Sequence, residues 1–166
     1  YGNPKITPTL RNVTNTGPWT WHGWKDKLEA SVEDSFVETL FGEKPTADEV
    51  KAVVAYMATL DHPPAPKAKE SDIAGIARGK TLFENKAGCV RCHAGAEYTT
   101  PKAYALDLEA DGSPFDKWNP PSLRGVRDRA PLMHASQAPD LDTDKHKGAA
   151  VISAAPLCLS ANGELL

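Results

Sequence analysis

Two cysteines and a histidine stand close together near the middle of the chain, in the segment NKAGCVRCHAGAEYT at 85–99. Cys89 and Cys92 are three positions apart, and His93 follows directly. Two thiols at this spacing on one turn can each add across a vinyl group of a haem, while the histidine lies beneath the porphyrin and ligates the iron. The motif therefore predicts at least one covalently bound haem c, with His93 as the proximal iron ligand.

Three other interpretations of the same residues stay open at this point. A structural zinc site could combine Cys89, Cys92 and Cys158 with a histidine, although no second closely spaced pair of ligands supports it. A thioredoxin-like redox pair needs a βαβ pattern around the motif, and no such pattern is visible. The pair could also form a plain disulfide or remain as idle thiols. Cys158, alone in the C-terminal tail, is expected to be a free thiol.

The composition narrows the class of protein and its partners. Hydrophobic residues make up 40% and charged residues 25% of the chain, as in soluble globular proteins. The net charge is -3 and no run of lysine or arginine occurs, so we expect no nucleic-acid partner. No apolar stretch approaches the roughly 18 residues needed to span a bilayer. The start at Tyr1, without a methionine or a leader, predicts a processed or excised piece whose export signal lies upstream.

A short phrase occurs twice in the chain. The sequence TPTLRNVTNTGPW at 7–19 matches PPSLRGVRDRAPL at 120–132, and a histidine follows each copy, His22 the first and His134 the second. We call these segments the first and the second repeat. Such self-similarity indicates two related structural units. Helical patterns follow the first repeat but precede the second, so the chain is expected to hold the back of one unit and the front of another, completed by further chains or missing segments.

Apolar residues at helical spacing predict three helices. The segment WKDKLEASVEDSFVETLFG, ended by Gly42, carries one apolar stripe: Leu28, Val32, Phe36 and Leu40. The segment TADEVKAVVAYMATL opens with Thr46 and Glu49 at capping-box spacing, and its expected buried face is Val50, Val53, Val54, Met57 and Leu60. In SDIAGIARGKTLFENK the residues expected to face inward are Ile73, Ile76 and Phe83. Strand patterns are nearly absent, so the predicted fold is all-α with long irregular loops.

The segment DHPPAPKAKES separates two parts of the chain. Proline cannot continue a helix, so this stretch is predicted to be a linker at 63–70. The predicted division is therefore residues 1–62 for the C-terminal part of a first unit and 71–166 for a second unit with the haem motif.

Several motifs together resemble one protein family. GKTLFENKAGCVRCHAG, followed by NPPSLRGVRDRAPLMH, resembles the second haem domain of the bacterial di-haem cytochrome c peroxidase superfamily. TPTLRNVTNTGPWTWHGW and the two helices after it resemble the back half of the first haem domain, and the resemblance covers most of residues 5–147. It implies cytochrome c-like domains, covalent haem c, export to the periplasm and a redox partner protein. Calcium between the domains is a further implication.

The resemblance also implies roles for residues around the haem. The distal ligand of the family lies in the region of His146, which we expect to ligate the iron, with Met133 as the less favoured candidate. His134 is expected to line the pocket near the haem edge. Arg124, like Arg11 in the first repeat, is expected either to pair with a haem propionate or to bond local backbone carbonyls.

Two interpretations of His22 stay open. His22 lies among three tryptophans of the segment WTWHGW, either beside a haem bound by residues outside the chain or in an ordinary packed aromatic cluster.

The leading function is electron transfer through the predicted haem. The alternative is a peroxidase-type enzyme that reduces hydrogen peroxide, with this haem relaying electrons to a second haem. A zinc-stabilised interaction module is the third, non-redox option.

Overall fold

Short helices dominate the regular structure of the computed structural model, which describes residues 5–106, 117–136 and 138. The α-helices are α1 (Leu28–Asp34), α2 (Ala47–Met57) and α3 (Ile73–Glu84). The 3-10 turns are Val13–Asn15, Glu70–Asp72, Cys89–Arg91 and Val126–Asp128. Two short antiparallel strands, β1 (Tyr104–Ala105) and β2 (Lys117–Trp118), form a small sheet. The predicted helical character is confirmed for the described residues, while the two short strands leave the all-α prediction confirmed only in part.

The first two helices pack against the first repeat and form an apolar core. Its buried members are Val13, Leu28, Val32 and Val50, and Trp19, Phe36, Val53, Val54 and Met57 pack partly buried against them. The predicted capping box at the start of α2 is present. The Glu49 N–H donates to the Thr46 hydroxyl at 3.3 Å, and the Thr46 N–H donates to the Glu49 carboxylate at 2.8 Å. The Thr46 N–H and the Thr46 hydroxyl both donate to the Glu49 carboxylate, and these two bonds to its charged form lower the pKa of Glu49.

The first predicted helix loses its α-helical form earlier than expected. Its α-helical part ends at Asp34, and a π-helical turn follows at Ser35–Thr39. A π-helical turn holds one residue more than an α-helical turn, so the residues after it rotate away from the apolar stripe. Leu40, predicted to lie on that stripe, is consequently 69% exposed, and Phe41 beside it is 89% exposed.

The third helix keeps only part of its predicted buried face. Phe83 is buried with 7% of its surface exposed, as expected. Ile73 is 58% exposed, so the prediction that it faces inward was wrong. Ile73 is the first residue of α3, directly after the 3-10 turn, whereas Phe83 lies in the last turn, next to the haem motif.

The two repeats adopt the same local structure, position by position. Each contains a left-handed residue, Asn12 (φ 55°) or Gly125 (φ 64°), followed by a 3-10 turn. In each, a hydroxyl accepts a hydrogen bond from the arginine N–H two residues later at 3.2 Å. Each closes with an isolated antiparallel bridge, and the paired residues are Trp19 with Lys25 and Leu132 with Ala138. The predicted repeat is therefore a structural repeat.

This correspondence shows which residues of the two repeats are equivalent around the histidines. Gly125 follows Asn12 by 113 positions, and the same offset relates Leu132 to Trp19. His134 is then the counterpart of Trp21, and His22 is the counterpart of an alanine. The two histidines that follow the repeats are therefore not equivalent positions, although the repeats themselves align with the same offset in sequence and in structure.

The two repeats contact each other through bonds that an approximate two-fold axis relates. The Asn119 N–H donates to the Trp21 carbonyl at 2.8 Å, and the Ile6 N–H donates to the His134 carbonyl at 2.8 Å. Exchanging the two repeats converts the first bond into the second. The ring of Trp21 meets that of His134, its own counterpart, with centroids 6.2 Å apart. The two predicted units thus contact each other, while their division at 63–70 stays a prediction.

Candidate haem-attachment site

The end of α3 leads directly into the turn that carries the cysteines. Gly88 adopts a left-handed conformation (φ 66°), in which a side chain would strain the backbone, and the 3-10 turn Cys89–Arg91 follows. The Cys92 and His93 N–H groups both donate to the Cys89 carbonyl, at 3.1 and 2.9 Å. The structure therefore places the two sulfur-bearing residues and the imidazole on one tight turn, which we call the haem turn (residues 89–93).

The imidazole of His93 is oriented by the backbone after it. Its Nδ1 lies 3.1 Å from the Tyr98 carbonyl oxygen, which can only accept, so the tautomer that makes this bond carries its hydrogen on Nδ1 and keeps the Nε2 lone pair. Burial lowers the pKa of His93, opposed by the hydrogen bonds to the Tyr98 and Pro121 carbonyls. A neutral imidazole whose other nitrogen donates to a carbonyl is the form that ligates a metal.

The two cysteines of the haem turn differ in their surroundings. Cys89 is buried and takes part in a disulfide, whereas Cys92 is a half-buried free thiol. The two are therefore not bonded to each other, and a thioether at Cys89 requires its disulfide to be open. Burial raises the pKa of the Cys92 thiol, only partly offset by the charge of Arg91. A raised pKa is the opposite of what a thioredoxin-like nucleophile needs.

Apolar surface flanks the haem turn. Val90 is 37% and Tyr98 39% exposed, and the Tyr98 ring meets that of buried Phe83 edge-on with centroids 6.0 Å apart. Partly exposed apolar side chains on both sides of His93 suit a porphyrin face, which is itself largely apolar. Together with the free Cys92 thiol and the oriented imidazole, this surface fits a haem.

The two arginines of the repeats have different partners. Arg11 donates to the Asp61 carbonyl at 3.0 Å, a backbone contact that joins residues 50 positions apart and is not the local one expected as the alternative to a propionate. Arg124 lies 3.3 and 3.4 Å from the two carboxylate oxygens of Glu97, four residues after His93 in sequence. The side-chain amide of Asn12 donates to the same carboxylate. Glu97 thus connects the loop after the haem turn to both repeats, a contact that the sequence did not predict.

His134 and His22 lie in one buried aromatic stack. The ring centroid of Trp118 is 3.8 Å from that of His134 and 4.4 Å from that of His22, and the His22 ring stacks on Trp24 at 4.7 Å. His22 Nδ1 donates to the Lys117 carbonyl at 2.8 Å, and its Nε2 accepts from the Lys5 ammonium at 2.7 Å. His22 therefore belongs to a packed, hydrogen-bonded cluster. The structure brings together two histidines that were expected in separate units.

His62 lies where the end of the first unit meets the second repeat. A side chain at Gly125 would come within 3.2 Å of His62 Nδ1, and His62 Nε2 is buried without a partner in the described part of the chain. Burial lowers the pKa of His62, and the charges of Arg124 and Arg129 lower it further. No sequence pattern indicated this contact.

Of the remaining site candidates, the structure describes Met133. Met133 has a left-handed backbone (φ 66°) and a half-buried side chain. His146 and Cys158 lie outside the described residues.

Across 5–106, 117–136 and 138, no group of three or more histidine, cysteine or acidic side chains could hold a metal ion, so neither zinc nor calcium gains support there. In the same ranges, no helix is long and apolar enough to cross a membrane.

Comparison with known proteins identifies relatives of the chain. No family model matches the chain. The chain is 29% identical over 188 positions to the methylamine utilization protein MauG of Methylorubrum extorquens, and the match covers 84% of this chain and 53% of MauG. A MauG-like protein associated with microbial copper homeostasis has a TM-score of 0.60 at 17% identity, over 84% of this chain and 57% of that one. The resemblance to the di-haem cytochrome c peroxidase superfamily is confirmed.

A second solved structure shares the fold of this chain. It is the Kuenenia stuttgartiensis hydrazine synthase pressurized with xenon, with a TM-score of 0.68 at 16% identity, over 87% of this chain and 64% of that one. The chain spans about half the length of MauG and less than two thirds of each solved chain. The matches therefore bear on the fold and the haem-protein class, not on the activity of a whole relative.

Proposed function

We propose that this chain carries a haem c attached at Cys89 and Cys92, with His93 on the iron, and that it exchanges electrons with a redox partner protein. The carrying observation is the orientation of His93, whose Nδ1 donates to the Tyr98 carbonyl at 3.1 Å while Nε2 is left as a ligand. A haem bound there supplies a one-electron couple between ferric and ferrous iron. As the resemblance implies, we also propose export to the periplasm.

The residues of the haem turn would hold and tune that group. The hydrogen bond from Nδ1 to the Tyr98 carbonyl makes Nε2 a more basic ligand, and burial keeps the imidazole neutral and ready to bind. Gly88 adopts φ 66° without strain, so the backbone can turn directly before Cys89. Within this proposal, His146 is the distal ligand, Met133 is the less favoured candidate, and His134 lines the pocket.

A peroxidase-type function is the second candidate, favoured by the two-fold arrangement of the repeats. Pro121 in the second repeat presents its carbonyl to His93, and Pro8 occupies the corresponding, exposed position in the first repeat. A segment outside the given sequence could present a second haem turn to Pro8 in the same way. The haem at His93 would then relay electrons to that second haem, where hydrogen peroxide would be reduced.

Mass spectrometry after production in an exporting bacterium with haem-attachment machinery tests the proposal. We expect the mass of the polypeptide plus one haem and a reduced haem c absorption band. Loss of attachment in Cys89→Ala and Cys92→Ala, with retention in Cys158→Ser, would identify the two cysteines that form the thioethers. A colourless protein with the bare polypeptide mass would refute haem attachment. Peroxide turnover with a reduced donor, measured on the complete protein, separates electron transfer from peroxidase activity.

A further inference from the structure

Two hydroxyl groups hold the backbone of the haem turn from the loop that follows it. The Tyr104 hydroxyl donates to the Arg91 carbonyl at 2.9 Å, and the Thr100 hydroxyl donates to the Cys92 carbonyl at 3.1 Å. These are the two carbonyls that directly precede His93. The two hydroxyl oxygens are themselves 2.9 Å apart.

Tyr104 is anchored where it makes this contact. It is the first residue of β1 and pairs with Trp118 of β2, the tryptophan at the centre of the aromatic stack. The tyrosine hydroxyl thus connects the haem turn to the most buried part of the contact between the repeats, where Trp118 is only 3% exposed. A rigid anchor lets a single hydroxyl restrict the position of the turn.

We propose that Tyr104, assisted by Thr100, positions the haem turn and thereby sets the reduction potential of the haem bound at His93. This inference rests on the proposed function. Tyr104 acts through the peptide groups before His93 and does not itself contact the iron. By fixing these peptides, it keeps His93 Nδ1 within hydrogen-bond reach of the Tyr98 carbonyl. That bond makes the imidazole a stronger donor, which favours ferric iron.

The number of hydrogens defines what each substitution removes. The two hydroxyl groups carry two hydrogens in total. Only two of the three contacts, to the Arg91 carbonyl, to the Cys92 carbonyl and between the hydroxyls, can therefore be hydrogen bonds at one time. In Tyr104→Phe, Thr100 can still donate to the Cys92 carbonyl; in Thr100→Val, Tyr104 can still donate to the Arg91 carbonyl. Each single variant therefore loses one bond to the turn, and the double variant loses both.

The test uses the haem-loaded protein and compares Tyr104→Phe with Tyr56→Phe, an exposed tyrosine on α2 that serves as the matched control. In Tyr104→Phe we expect amide exchange in the haem turn to be about fivefold faster, the change for one ordinary hydrogen bond. We expect the reduction potential to rise by up to about 40 mV, which is fivefold at about 59 mV per tenfold for one electron. The double variant is expected to exchange faster than either single variant, but not by the product of the two effects, because the two hydroxyl oxygens are in contact with each other.

The outcomes separate this inference from the proposed function. A haem-loaded Tyr104→Phe with the exchange rate and potential of Tyr56→Phe would overturn the positioning role and leave haem attachment intact. A wild-type protein without haem would overturn both. Should Tyr104→Phe fail to fold, Thr100→Val provides the same two readouts, and an unchanged potential there would overturn the inference.

Discussion

Two physical effects predict opposite stability rankings when Trp118, Trp21 and Trp19 are each replaced by phenylalanine. Trp118 is 3% exposed, and its indole N–H is buried without a partner among the described residues. Trp21 is half-buried and donates its indole N–H to the Ile6 carbonyl at 2.8 Å. Trp19 donates to the Val13 carbonyl at 2.8 Å. Substitution of each by phenylalanine removes part of the ring and the indole N–H together.

Packing alone would make Trp118→Phe the most harmful of the three. Trp→Ala at a buried site costs about 3–5 kcal/mol, and Trp→Phe removes a smaller part of the ring, for roughly 1–2 kcal/mol. The same substitution also removes an indole N–H that has no partner, and an unsatisfied buried donor costs about 1–3 kcal/mol. The two effects offset each other, so we expect Trp118→Phe to lie within about 1 kcal/mol of the wild type.

Phenylalanine at position 21 has no such compensation. It loses packing and leaves the Ile6 carbonyl without the indole N–H that binds it, so we expect a loss of about 1–3 kcal/mol in the free energy of unfolding. Trp19→Phe is expected to fall between the two, because the Val13 carbonyl still accepts from Thr16 at 3.2 Å. The measurement is urea-induced unfolding followed by far-ultraviolet circular dichroism.

The ranking itself is the decisive result. If Trp118→Phe proves the most destabilising variant, packing outweighs the unpartnered indole N–H and the reasoning is refuted. Trp118→Ala, which loses the whole side chain, is the control that reports the packing contribution and is expected to cost about 3–5 kcal/mol.

Three further predictions follow from local contacts. Thr46→Ala removes the N-cap of α2 and is expected to lower the free energy of unfolding by about 1 kcal/mol in urea titrations, whereas the neighbouring exposed Lys44→Ala is not expected to reach that loss. The pKa of His62 is lowered in the folded state, so its contribution to stability is present above the unfolded pKa near 6.5 and is lost as the pH falls below that value. The free energy of unfolding of His62→Gln is therefore expected to depend less on pH than that of the wild type between about pH 7.5 and 5.5. An identical pH dependence of the two proteins would contradict this prediction. Gly88→Ala places a side chain at φ 66° and is expected to lower the free energy of unfolding by about 1 kcal/mol. We also expect it to reduce haem attachment, measured as the haem-to-protein ratio. An unchanged free energy of unfolding would contradict the predicted backbone strain.

The shared geometry of the repeats explains why the two predicted units are not independent in structure. Reciprocal bonds join Asn119 to Trp21 and Ile6 to His134, and the Glu97 carboxylate accepts from Asn12 on one side and Arg124 on the other. Each contact spans both repeats. We therefore expect changes at this contact to affect the haem turn, since Glu97 lies in the loop directly after it.

Much of the local structure could be predicted from the sequence. The spacing of Cys89, Cys92 and His93 predicted one turn, and that turn is present because its hydrogen bonds close within five residues. The capping box of Thr46 and Glu49 is likewise made by residues three apart. These features depend on neighbouring residues alone, so the order of residue types is enough to specify them.

Predictions that depended on longer range were less accurate. The apolar stripe toward Leu40 assumed regular α-helical turns, and one π-helical turn displaced it. The strands β1 and β2 are two residues each, too short to leave a periodic pattern. The roles of Arg124 and His146 remain predictions, His146 because it lies outside the described residues.

The sequence by itself determined the haem turn, the repeat and the helices that flank them, because each arises from chemistry or hydrogen bonding within a few residues. Only the tertiary structure decided that His22 and His134 share one stack around Trp118, that Glu97 accepts from both repeats, and that Tyr104 reaches the Arg91 carbonyl. Contacts such as that of His22 with the Lys117 carbonyl join residues 95 positions apart. Their formation depends on how the whole chain packs, which no local spacing of residues encodes.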